Sequence, residues 1–137
     1  MTPHRLRSCA RALLLGGALA LAGCGGGSST QSLPQCAPPG GRTARPALPL
    51  PPGTVVNASH REGAFRIFEA FVPGTIEDAR DFFEQRLPAA GYRLGEGEAE
   101  EHEAETAFSG RGAEGRLKLH DLSSCDGAVS LELALRR

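Results

Sequence analysis

From Thr54 onward the chain alternates apolar and polar positions with two different periods, and the switches between them mark out the elements. Phe65-Arg66-Ile67-Phe68-Glu69-Ala70-Phe71-Val72 reads as a strand, preceded by a weaker edge strand at Thr54–Ser59 and a turn at Glu62-Gly63-Ala64. Pro73-Gly74 breaks the pattern. Thr75, with Asp78 three positions on, then supplies a helix N-cap signature with acids in the first turn. Ile76, Ala79, Phe83, Leu87 and Ala90 recur at helical spacing, with Phe82 beside them and Gly91 as a stop. Pro88 predicts that the regular helix ends a turn sooner.

Past the helix the period returns to two. Tyr92 and Leu94 predict a short strand before glycines at 95 and 97. Six glutamates follow between positions 96 and 105, and the second half of this stretch is assigned to a strand. That strand places His102, Ala104, Thr106 and Phe108 on one face and Glu101, Glu103 and Glu105 on the other. Ser109-Gly110-Arg111-Gly112 turns the chain toward Leu117-Lys118-Leu119. After the turn at Ser123–Gly127, Val129, Leu131, Leu133 and Leu135 give the clearest alternation in the sequence. The predicted order is ββαβββ with room for one more short strand. The fold class is α+β, an antiparallel sheet with one face covered by the single helix. Phe65 or Phe68, Phe71, Phe83, Leu87, Leu119, Leu131 and Leu133 are the expected core.

Ahead of this domain (54–137) the pattern is absent. Residues 25–53 hold six glycines and seven prolines, from Gly25-Gly26-Gly27-Ser28-Ser29 to the extended run Pro46–Pro52, and read as a tether. Residues 1–23 read as a signal peptide: Arg5, Arg7 and Arg11, then an uncharged, mostly apolar run from Ala12 to Ala22. That run is about 16 Å long as a helix, roughly half a bilayer core, and cannot span a membrane. It ends Leu21-Ala22-Gly23-Cys24, which closely resembles the lipobox of bacterial lipoproteins. The resemblance implies cleavage between Gly23 and Cys24, lipidation of Cys24, and a mature protein held at a membrane of the cell envelope by its acyl chains. With Gly at position 25, it implies the outer membrane if the source is Gram-negative. The tract from Pro73 to Ser109 is similar, more loosely, to small uncharacterised lipoproteins of GC-rich bacteria.

Charge narrows the function. The 137-residue chain has a formal net charge of −1. Removing a signal segment with three arginines and no acids leaves 12 basic residues against 16 acidic ones. Nucleic acid is therefore not an expected partner, and a polybasic clamp on anionic lipid is not expected either. With Cys24 lipidated and Cys9 removed, Cys36 and Cys125 remain. In an oxidising compartment they are expected to pair across a loop of about 88 residues, with free thiols or pairing to another protein as the alternatives.

Few residues suggest chemistry. Glu101, Glu103 and Glu105 lie in a line along a strand and lack the loop grammar of a calcium site. They read as a solvated acidic edge, with a basic protein partner as an alternative. His102-Glu103 fails the zinc-protease pattern because position 106 is Thr. His120-Asp121 could supply a general base, yet neighbours on a strand point to opposite faces and no nucleophile elbow surrounds Ser123 or Ser124. No metal or cofactor is expected. The resulting expectation is a lipid-anchored, non-enzymatic binding or accessory domain with an envelope protein as partner. A carrier of a small apolar ligand between helix and sheet, or a hydrolase using His120 or the glutamates, are the alternatives.

Overall fold

The computed structural model describes residues 32–40 and 43–137. The expected signal peptide, the lipobox and Cys24 lie outside the described residues. Six strands and one helix follow in the order β1 (Val55–Glu62), β2 (Phe65–Pro73), α1 (Ile76–Ala89), β3 (Arg93–Ala99), β4 (Glu103–Gly110), β5 (Ala113–Asp121) and β6 (Ala128–Arg136). The sheet order is β1-β2-β6-β5-β4-β3, every neighbouring pair antiparallel. The α+β class and the order of elements are those read from the pattern, and the extra short strand is β3.

The helix forms where its caps dictate. Asp78 N donates to Thr75 Oγ1 at 3.2 Å while Thr75 N donates to Asp78 Oδ2 at 3.1 Å, a reciprocal capping box. At the other end Tyr92 N donates to the Leu87 carbonyl and Gly91 N to the Pro88 carbonyl, with Gly91 at φ +87°. This paired closure needs a left-handed residue at position 91, which only glycine adopts without strain. Pro88 does not shorten the helix. Its missing N–H removes one bond in the last turn, its ring is exposed there, and the closure that follows holds the turn. Tyr92 accordingly belongs to the closing motif and is buried, so β3 starts one residue later. The turn at Gly110–Gly112 adds to this end of the helix, because the Arg111 guanidinium donates to the Ala90 carbonyl at 3.2 Å.

Strand β3 runs through the glycines that were expected to end it. The ladder slips by a bulge between Leu94 and Gly97. At Gly97 a Cβ would lie 2.7 Å from the Glu105 carbonyl oxygen, so glycine permits the close approach of β3 to β4. Within β2 the parity differs from the expectation for one phenylalanine. Phe68, Ala70 and Val72 face the core, whereas Phe71 lies three residues from Phe68, points to the opposite face and is only half-buried.

The core lies between the sheet and α1, which packs against β3, β4 and β5. The other half of that face is covered from the N-terminal side. Leu48 is 9% exposed, Pro46 and Pro51 are buried, and Leu50 packs against the core. Tyr92 Oη donates to the Ala47 carbonyl at 3.4 Å, and Thr43 Oγ1 to the Asn57 carbonyl at 3.3 Å. The packed chain thus begins before Thr54, because Leu48 and Leu50 carry apolar surface into a stretch whose composition reads as tether. Cys36 and Cys125 form a disulfide with Cα atoms 5.5 Å apart, joining this segment to the β5–β6 loop. The distance falls within the range that a bridge requires.

Two outcomes follow for stability. Leu48→Ala should destabilise the protein by about 2–3 kcal/mol, measured by urea denaturation, since it removes a core side chain at the rim of the domain. Reduction of Cys36–Cys125, which spans a sequence separation of 89, should lower the Tm by several degrees. That shift corresponds to a loss of roughly 2–4 kcal/mol, read by calorimetry with and without reductant.

Candidate functional site

One face of the sheet is packed; among the described residues no helix or strand covers the other. Strand alternation puts on this open face Phe65, Ile67, Glu69 and Phe71 of β2, Glu132 and Ala134 of β6, Arg116, Lys118 and His120 of β5, and Glu103, Glu105 and Ala107 of β4. Its charges form a cross-strand lattice. Lys118 Nζ lies 2.8 Å from Glu103 and Arg116 lies 2.7 Å from Glu105. His120 Nδ1 is 3.4 Å from the second oxygen of Glu103, and Arg136 pairs with Glu114. Lys118 and Arg116 lean diagonally to an acid beyond their direct opposites, within reach for long side chains on a twisted sheet, while His120 meets its direct partner Glu103.

The lattice shifts two of these groups. The hydrogen bond from Lys118 holds the Glu103 carboxyl below its usual range; desolvation opposes it in part, and the charges of His120 and Lys118 add to the lowering. The same bond to Glu103 raises the Lys118 ammonium above its ordinary value, helped by the charges of Glu103, Glu105 and Glu132.

Toward the end of the face nearest the β1–β2 turn the lattice gives way to a trough. Its volume is about 590 Å³, with Phe65, Ile67, Ala107 and Ala134 along it and Glu62, Glu114, Arg116 and Glu132 among its walls. Small side chains in the middle strands and the coiling of the sheet leave it hollow. Ile67 is 6% exposed although it lies on the face away from the helix. In the sequence the sign of this was Ile67 beside Phe68: adjacent apolar residues in a central strand serve both faces. The space between α1 and the sheet is filled, with only about 10 Å³ left beneath Phe83 and Leu117.

The residues singled out in sequence separate in space. Glu103 and Glu105 share the open face, while Glu101 lies in the bend before β4. β4 is an inner strand, so its acids are not a solvated edge; they are the paired half of the lattice, and the edge role falls to β3 with Glu96 and Glu98. His102 also precedes the strand and its Nδ1 lies 3.3 Å from Asp121 Oδ2. His120 therefore faces Glu103, and Asp121 serves His102 at the strand end. The hydroxyl directly across from His120 is that of Ser130, which donates to the His120 carbonyl at 3.3 Å; Ser123 and Ser124 are exposed in the following turn. Among the described residues no group of three or more His, Cys, Asp and Glu side chains converges to hold a metal ion. No helix among them is long and apolar enough to cross a membrane. Comparison with protein-family models, with curated proteins and with solved structures finds no match to this chain.

The pH dependence of the lattice has a definite sign. A depressed carboxylate contributes stability above its ordinary value of 4.5 that is lost as the pH falls through the depressed value. A raised ammonium contributes below its ordinary value of 10.5, and that contribution is lost as the pH rises through the raised value. Glu103→Gln should therefore melt below the wild type at neutral pH, and the two melting curves should converge in acid. A difference that persisted unchanged in acid would remove Glu103 ionisation as its cause.

Proposed function

We propose that this protein is a lipid-anchored component of the cell envelope whose domain is a non-catalytic binding module. Cys24, the lipidated residue of this reading, would carry the acyl chains at the membrane, the outer one in a Gram-negative source. Two acyl chains suffice for stable anchoring without a transmembrane span. The bridge from Cys36 to Cys125 shortens the link to the domain to residues 25–35, a flexible span of about 18 Å. The domain then stays close to the membrane surface.

The observation that carries the binding role is the open sheet face: a paired charge lattice leading into an apolar trough. Glu62 and Glu132 on its walls have no ion-pair partner among the described residues. A protein segment with a basic residue beside an apolar side chain fits this arrangement, the apolar group on Ile67 and Ala134 and the cation toward Glu132. What supports a non-catalytic role is the pairing of His120 with Glu103 and of the Ser130 hydroxyl with the His120 carbonyl, which leaves neither of these two side chains aimed at the trough. A filled helix–sheet layer favours the open face over the interlayer as the place of binding.

Metabolic labelling with a fatty-acid analogue should mark the wild-type chain and fail to mark Cys24→Ser; label surviving that change would overturn the anchor. A photo-cross-linking residue placed at Ala107 should yield a defined protein adduct in cells. The same residue at Gln85, on the exposed side of α1, should not. Equal adducts from both positions would remove the open face as the binding surface.

A further inference from the structure

A second concavity, of about 330 Å³, lies on the packed side of the sheet, beyond the reach of α1. Its charged lining is Arg45, Arg61, Arg66 and Arg137, and no carboxylate side chain lines it. Phe68, Leu135 and Pro46, all buried, give it an apolar floor. None of the four arginines has an ion-pair partner within 4.0 Å among the described residues; Arg80, Arg116 and Arg136 each have one, while Arg86, Arg93 and Arg111, also without one, stand elsewhere on the surface. Arg61 and Arg66 are direct partners across the β1–β2 ladder. Like charges at directly opposed positions repel, and this pair stands without a relieving acid in the pocket. A chain with more acids than bases past its signal segment has gathered four arginines around one hollow whose lining includes no Asp or Glu side chain.

We propose that this pocket binds a soluble amphipathic phosphate, its phosphoryl group held by the guanidinium groups of Arg45, Arg61, Arg66 and Arg137 and its apolar part resting on Phe68 and Leu135. Guanidinium forks match the oxygens of a phosphoryl group two at a time, and a doubly charged group offsets the mutual repulsion of several arginines better than a single carboxylate does. The volume lies at the lower end of small-ligand pockets, enough for a phosphoryl group and a short apolar body. The source of the phosphate follows from the placement of the pocket. It sits at the end of the sheet that holds the β1–β2 turn, while Cys125 and the bridge sit at the opposite end, a strand length of roughly 25 Å away. On the anchored reading, the pocket opens away from the membrane that holds Cys24, which favours a dissolved ligand over a headgroup of that bilayer.

The test is a titration of the full chain in a nonionic detergent with hexyl phosphate, inorganic phosphate, hexanol, and phosphatidylglycerol mixed into the micelles. Hexyl phosphate should bind saturably, more tightly than inorganic phosphate, and hexanol should not bind. Arg61→Gln and Arg66→Gln should each weaken hexyl phosphate by about tenfold, in line with loss of a charge-assisted hydrogen bond. Each should also raise the Tm of the ligand-free protein, because it relieves the repulsion across the ladder; a merely structural arginine would lower it. Absence of saturable binding, or unchanged affinity in both variants, overturns the site. Equal affinity for inorganic and hexyl phosphate overturns the apolar half of the proposal. Binding of phosphatidylglycerol without hexyl phosphate overturns the soluble source.

Discussion

One helix cannot cover six strands. Neighbouring strands lie about 4.8 Å apart, so the sheet is roughly 24 Å from edge strand to edge strand, while a helix with its side chains is about 10 Å across. α1 therefore protects only the β3–β5 side, and the apolar residues of β1, β2 and β6 need a second cover. The Pro-rich chain from Pro46 to Pro51 supplies it. Proline suits this role because an extended segment with few N–H groups can lie on an apolar surface while leaving few donors unsatisfied. The disulfide at Cys36 ties the same segment to the far loop, so that cover and bridge act on one weakness of the architecture.

The elements that periodicity alone specifies were legible in the sequence: the helix from Thr75, the alternation of β6, and the core face of β4 through Ala104 and Phe108. The pairing of Cys36 with Cys125 was legible too, from the count of cysteines that remain. What the pattern could not convey is position within the sheet. Glu103 and Glu105 look like a solvated edge until the order β5-β4-β3 places them beside Lys118 and Arg116, fifteen and eleven residues further along the chain. Phe71 was misassigned because two phenylalanines three apart on a strand serve opposite faces, and the sequence does not say which face is the core.

The two hollows escaped the sequence for a different reason. Each is lined by residues far apart in the chain and unremarkable one by one. The trough joins Ile67 to Ala107 and Ala134; the arginine pocket joins Arg45 to Arg61, Arg66 and Arg137. Residues 45–47 line the second hollow together with β2 and β6, so the segment that completes the core also helps to build a basic concavity. On the open face, by contrast, the basic residues of β5 are each met by an acid of β4. The arginine pocket stands out against that background.

The sheet order has a consequence in time. β2 pairs on one side with its sequence neighbour β1 and on the other with β6, the final strand. A chain delivered N-terminus first would carry the β1–β2 hairpin with one flank of β2 bare until Ala128–Arg136 emerged. Cys36 would wait almost as long for Cys125. Closure of the sheet, burial of Phe68 against Leu133 and oxidation of the bridge thus all await residues 125–136, so the domain folds as a whole once β6 is present and not progressively before it.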